Sequence, residues 1–469
     1  MQIKNIAPIA NFIKKRGKKM NGKIIFTSKD HDRIEREIFP ALHVPRAARL
    51  TAGGEANEGF MGFGVAITPS SCYELSLMEP AERRALIEDV FTKKGLNLSV
   101  ARLCIGSSDY SPEIYSYDDV AGDVSLTHFS VARDEKYVIP MIREILAVRP
   151  DLYLFASPWS PPYWMKTDGY MCGGYMRAKF VSCYADYIIK FIEAYAAHGI
   201  RISAITPQNE PNNDHGASMP GCLWHPEIEA DFVLDLKTKL CKKGLDVKVW
   251  ILDHAFDATN RALWQLDNCE GLAEKCDGVA FHYYSGSIEQ TKVLGEKYPQ
   301  LALHFTEGGP RLTDNYETDY TKWVLMASKA LHCGYKSFTG WNLMLDELGG
   351  PNVGPFLGIC GGLITRDSRD GTLTYSGQYK AFMHLAPYIT PQSKIYPLTT
   401  APECAARCMS NFPKSRTPIE GILIENADQK IAVLVNPNEG GAQAEIELCG
   451  ALYYIEMYGS SVATVIFDA

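Results

Sequence analysis

The sequence predicts an α/β protein: a (β/α)8 TIM barrel with an appended antiparallel β-sandwich domain. Three observations carry that prediction. Between residues 59 and 390, eight short apolar runs alternate with longer segments of helical period. Such alternation means βα units around a parallel sheet, and eight units close a barrel. From about residue 392 the helical segments stop. Short strand-like runs then follow one another across Asp-Gln, Pro-Asn-Glu-Gly-Gly and Gly-Ser-Ser turns, the pattern of an antiparallel sandwich. Finally, no G-x-G-x-x-G follows the first run and no P-loop occurs anywhere, which leaves an open doubly wound sheet without its nucleotide fingerprint.

Residues 1–58 are mixed in character and carry a basic run: Lys14, Lys15, Arg16, Lys18, Lys19 and Lys23. A secretory signal places a long apolar stretch after such charges, but only Ile24-Ile25-Phe26 follows. The run reads as a solvated arm, with no signal peptide and no stable membrane insertion expected. Two strand-like stretches, Lys23–Ser28 and Ala47–Thr51, are expected to join the C-terminal sandwich. A Gly/Glu/Asn-rich link, 53–59, leads into the barrel of residues 59–390.

The barrel runs are Gly62–Ile67, Ser99–Ile105, Leu152–Ser157, Ile202–Thr206, Val247–Leu252, Gly278–Tyr283, Leu301–Thr306 and Ser337–Asn342. Between them lie helical segments at Pro80–Lys94, Val131–Val148, Ala178–His198, Pro226–Lys243 and Asp319–His332. The sandwich, residues 391–469, is expected to use Gly421–Glu425, Ile431–Asn436, Gln443–Leu448, Tyr453–Tyr458 and Ser461–Phe467.

Composition narrows the function. The chain has 469 residues, 46% hydrophobic and 22% charged, enough to bury a large core without staples. A net charge of −8 argues against nucleic-acid partners, which need excess positive charge. Thirteen scattered cysteines form no CxxC pair and read as free thiols in a reducing cytoplasm. Whether the chain forms a homo-oligomer stays open.

In a barrel the chemistry sits where strands end. The fourth run ends Thr206-Pro-Gln-Asn209-Glu210-Pro211, and the seventh ends His304-Phe-Thr-Glu307-Gly308. Runs four and seven face each other across a barrel mouth, so Glu210 and Glu307 form a carboxylate pair flanking a pocket. Glycosidic bond cleavage requires such a pair, one carboxyl to protonate the leaving oxygen and one to attack the anomeric carbon. Other strand ends supply Arg102, Asp109, Trp164, His282 and Trp341. Aromatic faces beside hydrogen-bonding groups suit a sugar ring. Arg102, inside a strand, is placed either to bind substrate or to buttress a carboxylate. His282 is open between substrate contact and a satisfied core histidine.

The motifs Arg102…Asp109, Ser157-Pro-Trp-Ser-Pro-Pro-Tyr-Trp164-Met-Lys-Thr167, Thr206-Pro-Gln-Asn-Glu-Pro211, Phe281-His-Tyr-Tyr284, Phe305-Thr-Glu-Gly308, Trp341-Asn342 and Gly349-Gly-Pro-Asn352 together resemble glycoside hydrolase family 30. This is a family of retaining (β/α)8 glycosidases that includes glucosylceramidases, β-glucosidases, β-1,6-glucanases, β-xylosidases and β-fucosidases. The resemblance implies that Glu210 is the acid/base and Glu307 the nucleophile. It implies that Asn209 bonds the sugar 2-OH and Tyr284 steadies the nucleophile. Asp109, Trp164, Trp341 and Asn352 would line the subsite of the cleaved sugar. The Gly-rich stretch 349–377 departs from the lysosomal pattern and is similar to bacterial members. A retaining β-glycosidase acting on a carbohydrate or glycoside, most simply a β-glucoside, needs no cofactor and no metal.

Two other readings stand beside it. Asp253, His254 and His282 are ligand types for a metal-dependent barrel hydrolase. A sugar-binding barrel without turnover is the third. A fluorogenic panel of β-glucoside, β-xyloside, β-fucoside and β-galactoside separates the three, and turnover undiminished by EDTA is expected. Loss of turnover with EDTA would favour the metal reading.

Overall fold

The computed structural model describes residues 22–45, 47–400 and 417–468. Most of the basic run, Lys14 to Lys19, lies outside the described residues. Two units are present. One combines the residues up to Glu55 with those from Lys394 onward; the other is Ala56–Ser393.

The larger unit holds a closed barrel of eight parallel strands: β4 (Gly62–Ile67), β5 (Val100–Ile105), β6 (Tyr153–Pro158), β7 (Ala204–Ile205), β8 (Lys248–Ala255), β9 (Gly278–His282), β10 (Ala302–Glu307) and β11 (Ser337–Gly340). Each pairs with its sequence neighbour, and β11 closes onto β4. Strands β4 and β5 are buried along their whole length, which explains why they read as unbroken apolar runs. Gly64 meets a packing demand. A Cβ there would stand 2.4 Å from the Val100 carbonyl oxygen, so a larger residue would push β4 off β5.

The helices between strands follow their end signals. Helix α5 (Pro226–Lys243, counting α1 Pro69–Ser76, α2 Pro80–Phe91, α3 Val138–Val148 and α4 Val181–Ala197) shows them all. Pro226 opens it and Glu227 and Glu229 occupy the first turn. Lys242 and Lys243 close the last turn, and Gly244 follows at φ 66°.

Strand β8 runs three residues beyond its apolar run. A bulge at Leu252–Asp253, with φ of 76° and 53°, shifts its register against β9. The bulge re-aims Asp253 into the barrel mouth. After β11 a small sheet forms from β12 (Met344–Asp346), β13 (Ile364–Arg366) and β14 (Leu373–Tyr375), which the sequence does not announce. Its three-residue strands are too short for a periodic signal.

The smaller unit is a nine-stranded sheet made from both ends of the chain. It uses β1 (Gly22–Ser28), β2 (His31–Ile38), β3 (Ala48–Ala52), β15 (Lys394–Thr400), β16 (Glu420–Glu425), β17 (Gln429–Asn436), β18 (Ala442–Leu448), β19 (Ala451–Met457) and β20 (Ser461–Asp468). Their order is β19-β18-β3-β15-β16-β17-β20-β1-β2. β1 lies antiparallel to β20 with Lys23 opposite Ile466, and β3 is held between β15 and β18. Five strands separate β19 from β20 in the order, yet Tyr453 packs on Phe467 with ring centroids 4.4 Å apart. The sheet therefore doubles over into two layers around a shared core of Ile24, Phe26, Leu50, Leu434, Tyr453 and Val465. Strand β2, His-Asp-Arg-Ile-Glu-Arg-Glu-Ile, was not expected. It is an exposed edge strand, and its charges hide the alternation that marks a half-buried one.

Among the described residues eleven cysteines are free, and no helix is long and apolar enough to cross a membrane. A chain starting at residue 56 lacks β1 and β3 and so leaves one edge each of β20, β15 and β18 without its partner. Limited proteolysis of that chain is expected to remove the segment beyond Lys394 quickly. Protection equal to that of the full chain would show that the N-terminal strands are dispensable.

Candidate active site

The site grows from four consecutive features of the barrel mouth. Strand β7 is short, and the chain leaves it through Thr206 into an irregular segment held by Gln208. The Gln208 amide donates to the carbonyls of Trp159 (2.6 Å) and Asn209 (2.9 Å) and accepts from the Trp224 indole (3.2 Å). Glu210 then adopts φ 52° and donates its N–H to the Asp253 carbonyl at 3.0 Å. Glu307 is the last residue of β10, where an irregularity against β9 sets it level with His282.

One oxygen of Glu210, one oxygen of Glu307 and a ring nitrogen of His282 all lie within 4.8 Å of one another. The two carboxyl groups thus face each other across a narrow space that His282 bridges.

Arg102 organises the group from beneath. Its guanidinium is fully buried and donates to Glu307, to Asp253 Oδ2 (2.8 Å), to Asn209 Oδ1 (2.9 Å) and to Ser157 Oγ (3.1 Å). The cation also lies 4.7 Å from the Trp159 ring and 5.4 Å from the Trp341 ring. Because Arg102 takes the Asn209 oxygen, the Asn209 amide nitrogen is left to face a ligand. Asp253 is the second anchor. It accepts from Thr206 Oγ1 (2.6 Å), Thr306 Oγ1 (2.7 Å) and Ser157 Oγ (2.9 Å), and its Oδ1 lies 3.0 Å from His282 Nε2. Burial alone would raise its pKa. The Arg102 charge, His282 and the hydroxyls outweigh burial and hold it well below the usual carboxylate range.

His282 bridges the carboxylates, with Nδ1 3.1 Å from Glu210 Oε1 and Nε2 3.7 Å from Glu307 Oε2. Burial would lower its pKa, but the charges of Glu307, Asp253 and Glu210 push it up to about 9. At neutral pH it is an imidazolium. Glu210 is held below its ordinary pKa: burial opposes this, but His215 and His282 together prevail. His215 Nε2 stands 3.0 Å from Glu210 Oε2, and Asn213 Nδ2 stands 3.3 Å from the same oxygen.

Of the expected sugar-binding residues, the structure brings together Arg102, Asp109, Asn209, His282, Trp341 and Asn352. Asp109 is buried, its Oδ1 has no partner, and burial plus the Glu307 charge push its pKa up to about 8. Asn352 accepts the Gly354 N–H at 2.7 Å and keeps a buried, unpartnered Nδ2. Gly354 is what lets the two meet. A Cβ there would stand 3.1 Å from Asp109 Cβ and 3.4 Å from Asn352 Oδ1. Unpaired polar atoms at a pocket are those a sugar hydroxyl would satisfy.

Trp164 and Tyr284 each have further neighbours. Trp164 turns its indole N–H onto the Asp118 carbonyl (3.0 Å) and stands edge-on to Phe180. Trp159 lies against Arg102 and is stacked on Trp341 with centroids 5.1 Å apart. Both tryptophans sit in one Pro-rich motif, and spacing alone does not say which faces inward. The Tyr284 ring stands edge-on to His282, burial and the Glu307 charge push its phenol well above its ordinary pKa, and Arg102 donates to Glu307.

Of the three residues of the metal reading, Asp253 and His282 meet and His254 turns away. His254 turns its Nδ1 onto the Ala255 N–H at 2.7 Å, while Asp253 and both ring nitrogens of His282 are committed to partners already described. Sequence reasoning also passed over Ser157, Thr206, Thr306 and His215. The three hydroxyls sit in quoted strand-end motifs, whereas His215 lies in an irregular loop that carries no signal.

Residues 60–357 match the glycosyl hydrolase family 30 TIM-barrel domain. The chain belongs to glycoside hydrolase family 30. It is 28% identical over 426 residues to an endo-1,6-β-D-glucanase of Neurospora crassa, covering 87% of this chain and 85% of that protein. It is 33% identical over 355 residues to putative glucosylceramidase 3 of Caenorhabditis elegans, covering 70% and 67%. Among solved structures, an endo-β1,6-glucanase superposes with a TM-score of 0.81 at 26% identity, covering 96% of this chain and all of that one. Family 30 membership makes the chain an O-glycosyl hydrolase of the β-glycosidase kind.

Removing Arg102 from this family 30 barrel would strand the buried Asp253 carboxylate. Arg102→Met is expected to cost about 3–5 kcal/mol of stability, read as a lowered denaturant midpoint, and to abolish turnover. A variant as stable as wild type would show that Asp253 is neutralised by His282 alone.

Proposed function

We propose that the protein is a retaining β-glucosidase that works by double displacement, with Glu307 as nucleophile and Glu210 as acid/base. The observation that carries this reading is the close approach of the two carboxyl oxygens, within 4.8 Å. Retention needs carboxyl groups about 5–5.5 Å apart. In the first step Glu307 attacks the anomeric carbon, and the leaving oxygen takes a proton from Glu210. A glycosyl ester on Glu307 results. In the second step Glu210 removes a proton from water, which attacks the same carbon and frees Glu307. Asn209, Asp109, Asn352, Trp159 and Trp341 would hold the sugar ring, which leaves the aglycone to the surrounding loops.

Those loops favour an apolar aglycone, as in a glucosylceramide-like substrate. Ile114 after β5, Tyr170 after β6, and Leu348 and Leu357 after β12 are large side chains exposed in the loops that follow those strands. A second reading, cleavage of β-1,6-glucan, is favoured by the glucanase relative that aligns with 87% of the chain. Free cysteines support action in a reducing compartment, the cytoplasm.

The two carboxylates are expected to fail differently when replaced. Glu307→Ala should abolish turnover of every glucoside. Glu210→Ala should still form the glycosyl ester from dinitrophenyl β-glucoside, whose leaving group needs no proton, and added azide should restore turnover as β-glucosyl azide. Wild type should release the β-anomer first, seen by NMR. An α-anomer first product would refute retention, and an α-azide from Glu210→Ala would exchange the two roles.

A further inference from the structure

His215 lies where the assigned mechanism has a gap. The acid/base must give up a proton in the first step, yet Glu210 sits among donors that hold it below its ordinary pKa. The proton has to be kept nearby. His282 is the poorer keeper, because its two ring nitrogens are fixed between Glu210 and Asp253. His215 is different. Its Nε2 is buried and 3.0 Å from Glu210 Oε2, but it is not aligned as a standing hydrogen bond and has no other partner. Catalytic hydrogen bonds in ligand-free sites are commonly loose in this way.

The loop is shaped to put His215 there. His215, Gly216 and Ala217 take φ of 51°, 60° and 55° in succession. For the two non-glycine residues this left-handed conformation is strained. The turn is held by Asn213 Oδ1 on the His215 N–H (2.9 Å) and by Ser218 Oγ on the His215 carbonyl (2.6 Å).

We propose that His215 is the proton-holding partner of Glu210, a positioning residue whose Nε2 supplies the proton that Glu210 delivers and takes it back afterwards. The inference rests on the assignment of Glu210 as acid/base. The proton passes from His215 Nε2 to Glu210 Oε2 and on to the glycosidic oxygen as its bond to the anomeric carbon breaks. The departing alcohol carries it away. In the second step water loses a proton to Glu210, which returns it to His215, so one water is consumed and no proton is gained or lost. The surrounding charges work in phase with this exchange. Glu210, Asp109 and Glu307 all favour the charged imidazole, and they outweigh the opposing burial. When Glu307 becomes an ester its charge disappears, and the pair can stay without its proton until water supplies one. The other imidazoles facing the pair are His282, across Glu210, and His254.

In wild type the basic limb of kcat/KM belongs to the Glu210–His215 pair. In His215→Gln it belongs to Glu210 beside His282. For an alkyl β-glucoside the limb is expected to move to lower pH by about one unit or more, about tenfold in rate for each unit on the falling limb. Dinitrophenyl β-glucoside should show no such shift in its kcat/KM. A uniform loss on both substrates with an unmoved limb would overturn the proposal and assign a structural role. Should His215→Gln not fold, NMR of 15N-histidine-labelled Glu210→Gln decides. The His215 midpoint is expected to fall, and an unchanged midpoint overturns the proposal. If Glu210→Ala shows no dependence on leaving group, the acid/base assignment itself fails; if only the His215 results fail, that assignment stands.

Discussion

A guanidinium with no solvent exposure is costly unless its donors are met, and Arg102 meets this demand with acceptors from four strands or strand ends. Ser157 is the penultimate residue of β6, Asn209 follows β7, Asp253 lies on β8 and Glu307 ends β10. The constraint works in both directions. The barrel must close with these side chains converging, or a buried charge is left unpaired. Once it closes, the two carboxylates and Asn209 have little freedom left. Arg102 therefore orders Glu307 and Asn209 directly, and reaches Glu210 only through Asp253 and His282.

The same economy of charge governs protons. Counting from the base of the mouth upward, Asp253 balances Arg102, His282 stands between two carboxylates, and His215 caps the outer oxygen of Glu210. Asp109, by contrast, is buried without a cation in contact, and its carboxyl is pushed up to about 8. Glu210 and Asp109 thus differ in protonation because His215 and His282 stand directly against Glu210, whereas at Asp109 burial and the Glu307 charge outweigh the His215 charge.

Much of this was legible in the residues. The eight apolar runs coincide with barrel strands because strands buried on both faces need apolar residues throughout. Glu210 and Glu307 stand out because one follows a strand and the other closes one at the functional face. What escaped notice depended on geometry that one-dimensional spacing lacks. The β8 bulge turns Asp253 into the site, where the sequence showed only a ligand-type residue. Trp159 and Trp164 share a motif, and only the backbone path decides which reaches Arg102. His215 depends on three left-handed residues in a row, and only Gly216 among them hints at such a turn. The charged edge strand β2 has no alternation to read.

The sheet built from both chain ends carries a consequence for biosynthesis. Lys23 of β1 waits for Ile466 of β20, the better part of the chain later. At about 5–20 residues per second, the partner emerges roughly 20–90 s after β1 leaves the ribosome. During that interval β1 can pair only with β2, whose register with it runs from Gly22 against Ile38 to Ser28 against His31. The charges along β2 make the free edge of this nascent hairpin a poor template for a neighbouring chain. The strand with the least contribution to the core is thus suited to guarding the N-terminal end while the rest of the polypeptide is made.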